Sequence, residues 1–235
     1  MENYVRVTEA FMKYSTILWD MDGVLMDSEP QHYRAWERTL KEYYGVEKID
    51  WERYKPCIGG KYSVVADVMM KGYGADVTRP EVHEAYLKYK REVEEEEGYR
   101  LMPHLAEVLA ALHAAGFRMA VASSSPFTDI ERFVETCGLS EYFELLFTGE
   151  QVKNSKPAPD TFLEAAKRMS TPPEACIVVE DSENGAAAAK AAGMYCIGLK
   201  NPGSGDQKLD AADSVIGDIR EISELCLKLR GEGIK

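Results

Sequence analysis

Short apolar runs alternate along the chain with longer segments whose apolar residues recur every three or four positions. The runs Ser15–Trp19, Phe117–Ser123, Leu145–Phe147, Cys176–Val179 and Cys196–Leu199, with a weaker one near Val215, have the length and apolar character of buried strands. Between them, His104–Ala115, Phe127–Cys137, Asp160–Met169 and Asn184–Ala192 carry the helical period. Gly116, Gly138 and Gly193 each follow such a segment, where a helix C-cap favours a residue that tolerates positive φ. Strand and helix in alternation predict an α/β fold built on a mainly parallel sheet. One stretch departs from this. From about Gln31 to Gly98 the chain is helical and charged, rich in Tyr, Lys and Glu, and without a strand pattern. It reads as a helical insertion between the first strand and the rest of the sheet, hinged near Pro30 and Gly98. Within it, the Glu94–Glu97 run reads as a solvated helix face. Residues 1–13 take no assignment.

Composition narrows the classes of partner. The chain has 235 residues, 45% of them hydrophobic, enough for a full core or for one domain plus an insertion. Its net charge of −12 leaves no basic surplus to displace counterions, so no nucleic-acid partner is expected. A small phosphorylated metabolite needs only local positive charge and stays open. The cysteines, Cys57, Cys137, Cys176, Cys196 and Cys226, are dispersed, odd in number and without C-x-x-C spacing, as for buried thiols in a reducing compartment. No signal-like segment and no run of about 18 apolar residues occurs, so the expectation is a soluble cytoplasmic protein without a membrane partner, a monomer or weak homodimer.

Candidate chemistry falls at the ends of the apolar runs. Asp20 and Asp22 follow the first, one residue apart and before Gly23. Two anions so close repel unless a cation or a shared proton offsets them, although a strand-end turn with Asp as a helix cap would use the same residues. Ser123-Ser124-Ser125-Pro126 follows the second strand; it is an ordinary helix start, and its hydroxyls and free N–H groups would also suit a phosphate. Lys156 stands in Asn154–Asp160, where Pro157 and Pro159 stiffen the backbone and fix its direction. Glu180-Asp181-Ser182 ends another apolar strand in a second acidic pair, which strengthens a metal-assisted reading.

These clusters, in this order, resemble the haloacid dehalogenase superfamily of aspartyl-phosphate-forming enzymes. The D-x-D-G-V-L-x-D-S motif matches Asp20–Ser28, the serine cluster the second motif, Lys156 the third and Glu180-Asp181 the fourth, and the likeness extends from about Tyr14 to Glu221. It is similar to the branch with a helical cap after the first motif, which holds β-phosphoglucomutase and sugar-phosphate phosphatases. The resemblance implies a three-layer Rossmann-like core formed by residues 1–29 and 99–235 and a cap formed by residues 30–98. It implies Asp20 as nucleophile, Asp22 as general acid and base, and Ser123 and Lys156 as ligands of the transferring phosphoryl group. Mg²⁺ would be held by Asp20, the main-chain carbonyl of Asp22, and Glu180 or Asp181, with Asp181 the first choice. Ser124 and Ser125 would add substrate contacts. His32, in Gln31–Trp36, would couple the cap to Asp22 or serve only as a polar residue at the hinge, and Lys61, in Ile58–Ser63, would meet the substrate or solvent.

The acceptor separates two outcomes, since a phosphatase uses water and a mutase uses a sugar hydroxyl. A mutase needs a second phosphate site. The lysine–asparagine pair that β-phosphoglucomutase has after its second motif falls opposite Pro126-Phe127, and its cap-loop arginine falls near Lys61-Tyr62. Lys88, Lys90 or Arg91 could replace some charge, but lysine lacks arginine's bidentate fork. The expectation is therefore an enzyme that hydrolyses a sugar or polyol monophosphate. The alternative is β-phosphoglucomutase activity, and the remote one a non-catalytic phosphometabolite-binding protein.

Overall fold

A computed structural model describes residues 13–54, 73 and 80–231. Its centre is β1 (Thr16–Trp19), whose residues are all buried. It pairs on one side with β2 (Arg118–Ser123) and on the other with β4 (Cys176–Glu180), both parallel. With β3 (Leu145–Thr148), β5 (Tyr195–Leu199) and β6 (Ser214–Ile216) it forms a six-stranded parallel sheet in the order β3-β2-β1-β4-β5-β6. All of the strands expected from the sequence are present, each within a residue or so of its expected limits.

Side chains on successive strand residues point to opposite faces, and the core divides accordingly. Ile17, Trp19, Met119, Val121, Ile177 and Val179 belong to one apolar cluster. Leu18, Ala120, Ala122, Val178 and Cys196 belong to another on the opposite face. Helix α4 (Leu105–Ala114), α5 (Phe127–Thr136) and α8 (Glu221–Arg230) contribute to the first, and α6 (Asp160–Arg168) and α7 (Glu183–Ala191) to the second. This is the three-layer Rossmann-like arrangement. Cys176, Cys196 and Cys226 are buried and unbridged, and burial pushes each thiol up to about 12. No helix among the described residues is long and apolar enough to cross a membrane.

Between β1 and β2 the chain runs through α1 (Glu29–Tyr44), α2 (Trp51–Tyr54) and α3 (Pro80–Glu97). These helices bury a cluster of their own, with Trp36, Leu40, Ile49, Tyr54, Val82 and Tyr86, and the Trp36 and Tyr86 rings stack at 4.6 Å. The chain enters and leaves this unit through two adjacent segments. Asp27 N–H donates to Arg100 O at 2.8 Å, Met26 and Leu101 bridge antiparallel, and the Gln31 side chain donates to Gly98 O at 2.9 Å. The acidic run in α3 differs from expectation at one residue. Glu94 is buried, because one helical turn places it beside Lys90 and opposite Arg132 of α5, at 3.3 and 2.7 Å. Glu95 to Glu97 remain exposed.

Candidate active site

Strand order turns at β1. The next strand in the chain lies on one side of it and β4 on the other, so the crevice beyond its carboxyl end is the place where open α/β sheets collect ligands. Trp19 is level with Val121 and Val179, which brings Asp20, Ser123 and Glu180 out of the sheet together. Lys156 joins them from the loop before α6. Its ammonium lies 2.7 Å from Asp20 Oδ1 and 2.6 Å from Glu180 Oε1, and packs 4.7 Å from the centre of the Phe162 ring.

Glu180 is fully buried and fully engaged. Besides Lys156, it accepts from the Asp181 and Ser182 N–H groups at 3.0 Å and from the Ser182 hydroxyl at 2.9 Å. Ser182 also caps α7 by accepting from Gly185 N–H at 3.0 Å. This packing leaves no space at Gly185, where a Cβ would lie 1.8 Å from Glu180 Oε1. Gly185→Ala is therefore expected to lower stability in urea unfolding by about 1–3 kcal/mol, and a variant as stable as wild type would contradict the packing account. Gly23 has φ +77°, and a Cβ there would lie 1.8 Å from Asp181 Oδ2, which accepts from the Ser204 hydroxyl.

Asp20, Glu180 and Asp181 are buried and present carboxylate oxygens within 4.8 Å of one another. One ammonium does not balance them. Burial, then the Glu180 and Asp22 charges, push the Asp20 carboxyl up to about 7, although Lys156 acts in the opposite direction. Burial and its two acidic neighbours raise Asp181 as well. An all-oxygen donor set carrying excess negative charge fits a hard divalent cation.

Asp22 is held differently. Burial opposes its charge, but His32, Lys90 and Ser125 outweigh that and keep its carboxyl below the usual range. Ser125 Oγ donates to Asp22 Oδ2 at 2.5 Å, and His32 Nε2 lies 3.3 Å from Oδ1. The other ring nitrogen of His32 is hydrogen-bonded to Tyr86 OH at 2.6 Å, so α1 and α3 both reach the carboxylate through one imidazole. Burial works against protonation of His32, but Asp22 raises its pKa above the ordinary value.

A cavity of about 220 Å³ opens over these groups and is lined by Asp20, Asp22, His32, Ser123, Ser124, Ser125, Lys156, Glu180 and Asp181. The expected residues thus converge on one space. Lys61 and the segment 58–63 lie outside the described residues. Tyr54, Tyr86, Asp129 and Ser204 carry no motif and were not expected at the site. Lys90 had a usable signal: it falls in the apolar stripe Val82-Tyr86-Val93 of α3, where a lysine needs a partner.

The haloacid dehalogenase-like hydrolase family matches residues 14–193. Fructose-1-phosphate phosphatase YqaB from Escherichia coli is 32% identical over 194 residues, covering 81% of this chain and 98% of that protein. Protein SUPPRESSOR OF QUENCHING 1, chloroplastic, from Arabidopsis thaliana is 34% identical over 217 residues and covers 90% of this chain, which spans only 20% of that protein's length. Among solved structures, CbbY from Rhodobacter sphaeroides in complex with phosphate superposes with a TM-score of 0.74 at 27% identity, covering 89% of this chain and 96% of that one.

Proposed function

The chain belongs to the haloacid dehalogenase-like hydrolases, and we propose that it is a magnesium-dependent phosphatase that hydrolyses a small sugar or polyol monophosphate through a phosphoryl group carried on Asp20. The observation that carries this reading is the different state of the two leading carboxylates. Asp20 sits against Lys156 and Glu180, while Asp22 is held by Ser125 and His32. Nucleophile and proton carrier are thereby separated, as a two-step transfer requires.

Lys156 occupies Asp20 Oδ1 and leaves Oδ2 for in-line attack on phosphorus. The bond to the ester oxygen breaks as the new P–O bond forms, and Asp22 gives the leaving alcohol its proton. In the second half, Asp22 takes a proton from water, which attacks the same phosphorus; inorganic phosphate leaves and Asp20 is restored. At rest, His32, Lys90 and Ser125 keep the Asp22 carboxyl below its usual range. An arriving anionic phosphoryl group raises the Asp22 pKa and favours its protonated, donor form. Lys156 and the hydroxyls of Ser123 and Ser124 would hold the phosphoryl oxygens.

Asp20, Asp181 and the main-chain carbonyl of Asp22 would hold Mg²⁺, with Glu180 orienting the set, since both Glu180 oxygens already have partners. The bound ion supplies the positive charge that lets a carboxylate approach a phosphate. Residues 30–98 would act as the cap and residues 1–29 and 99–235 as the core, the adjacent crossing segments serving as hinge. Hydrolysis is favoured over mutase chemistry because Pro126 brings no charge into the cavity where a second phosphate would need it.

The test is turnover of p-nitrophenyl phosphate. EDTA treatment is expected to lower the rate at least about 100-fold and added Mg²⁺ to restore it, several kcal/mol of charge stabilisation being lost with the ion. A rate indifferent to chelation would contradict the metal assignment.

A further inference from the structure

The half of the cavity away from Asp20 shows what the alcohol part of the substrate can be. Among the described lining residues the lysines are Lys156 and Lys90, and Lys156 is taken up by Asp20 and Glu180. Lys90 lies in a closed ring of charges: 2.5 Å from Asp129 and 3.3 Å from Glu94, while Arg132 lies 2.7 Å from Glu94 and 3.3 Å from Asp129. Two cations meet two carboxylates, and the ring is neutral as a whole. Burial works against the Lys90 charge, but Glu94, Asp129 and Asp22 hold its pKa above the ordinary value. The same wall carries Glu29, which accepts from Tyr54 OH at 2.7 Å, and the rings of Trp36, Tyr54 and Tyr86. Its offer to a ligand is aromatic surface and hydroxyl-accepting carboxylates, in a space small beside the roughly 300–1,000 Å³ of drug-sized sites.

We infer that this outer half selects an uncharged, hydroxyl-bearing alcohol moiety and rejects a second anionic group, and that Asp129 is a specificity-determining residue because it neutralises Lys90. The inference rests on the phosphatase reading and names its substrate class more narrowly. Among the described lining residues Lys156, Lys90 and His32 are each already paired with a carboxylate, so a second carboxylate or phosphate would meet Glu29 without a spare cation from them, a penalty that disfavours the wrong ligand without adding contacts to the right one. Asp129 does not act on the transferring group.

The experiment uses two pairs that differ only by a CH₂OH against a carboxylate: glycerol 3-phosphate with 3-phosphoglycerate, and sorbitol 6-phosphate with 6-phosphogluconate. Each compound competes against p-nitrophenyl phosphate on the magnesium-loaded enzyme. The neutral member of each pair is expected to have an apparent Ki at least about tenfold lower, and equal or tighter inhibition by the acidic members would overturn the inference. Asp129→Asn is expected to shrink the gap at least about threefold, chiefly by lowering the Ki of the acidic members. If that variant does not fold, Glu94→Gln removes the other counter-charge and should move the ratio the same way. An unchanged ratio in a folded variant would overturn the role of Asp129. Calorimetric titration of the same compounds reads the preference without turnover. A protein that keeps the preference but releases no phosphate would overturn the hydrolytic reading alone.

Discussion

Asp20→Asn is expected to abolish phosphate release, by at least about 10⁴-fold, while leaving the protein as stable as wild type or more so without metal. The amide keeps the shape of the side chain but is not a nucleophile toward phosphorus. The stability half follows from charge. Burial, with Glu180 and Asp22, pushes the Asp20 carboxyl from 3.8 up to about 7, so the folded state binds its proton more tightly than the unfolded chain does. Stability then falls, on account of this group, as pH rises from 3.8 toward about 7, and stays lowered above that. A neutral amide removes the cost, and Lys156 retains Glu180 as partner. Thermal unfolding in EDTA at pH 8, beside a p-nitrophenyl phosphate assay, reads both halves. A folded variant with undiminished turnover would remove Asp20 from the chemistry.

Lys156→Met is expected to lose activity too, by about 10²–10³-fold, but with the opposite effect on stability. Burial alone would favour a neutral amine, yet Asp20 and then Glu180 outweigh it and raise the Lys156 pKa above its ordinary value. Without that ammonium, Asp20 and Glu180 confront each other in a space where the Glu180 side chain is 0% exposed. Removing one partner of a buried ion pair typically costs about 3–5 kcal/mol, here measured by urea unfolding in EDTA. Magnesium should recover part of it by supplying charge to the same carboxylates. Loss of activity in both variants with stabilities moved in opposite directions separates a nucleophile from its counter-charge. A Lys156→Met protein as stable as wild type would mean that the lysine does not hold the acidic cluster together.

The strands could be read from the chain because each is a short apolar run with helical sequence on either side, and tertiary packing did not override that pattern. The catalytic clusters could be read for a related reason. Asp20, Ser123 and Glu180 each stand at a strand end and Lys156 in the loop that follows β3, so local sequence already placed them at one edge of the sheet. What the sequence hid are contacts between distant positions. Ser125 reaches Asp22 across 103 residues and Tyr86 reaches His32 across 54, and local sequence marks neither contact. Ser125 was expected to contact substrate; it lines the cavity, and its hydroxyl donates to the Asp22 carboxylate. Glu94 reads as solvated in isolation and is buried only because Lys90 and Arg132 face it from two helices. The insertion is harder to read than the core for the same reason: its helices are marked by charge, while their function depends on which charges they neutralise in three dimensions.

The central claim is that phosphoryl transfer passes through Asp20 in two in-line steps. Transfer of a phosphoryl group made chiral with oxygen isotopes from a monoester to an acceptor alcohol standing in for water, followed by determination of its configuration, tests it most directly. Two displacements predict retention at phosphorus; inversion would mean that the acceptor attacks the substrate directly and that Asp20 carries no phosphoryl group.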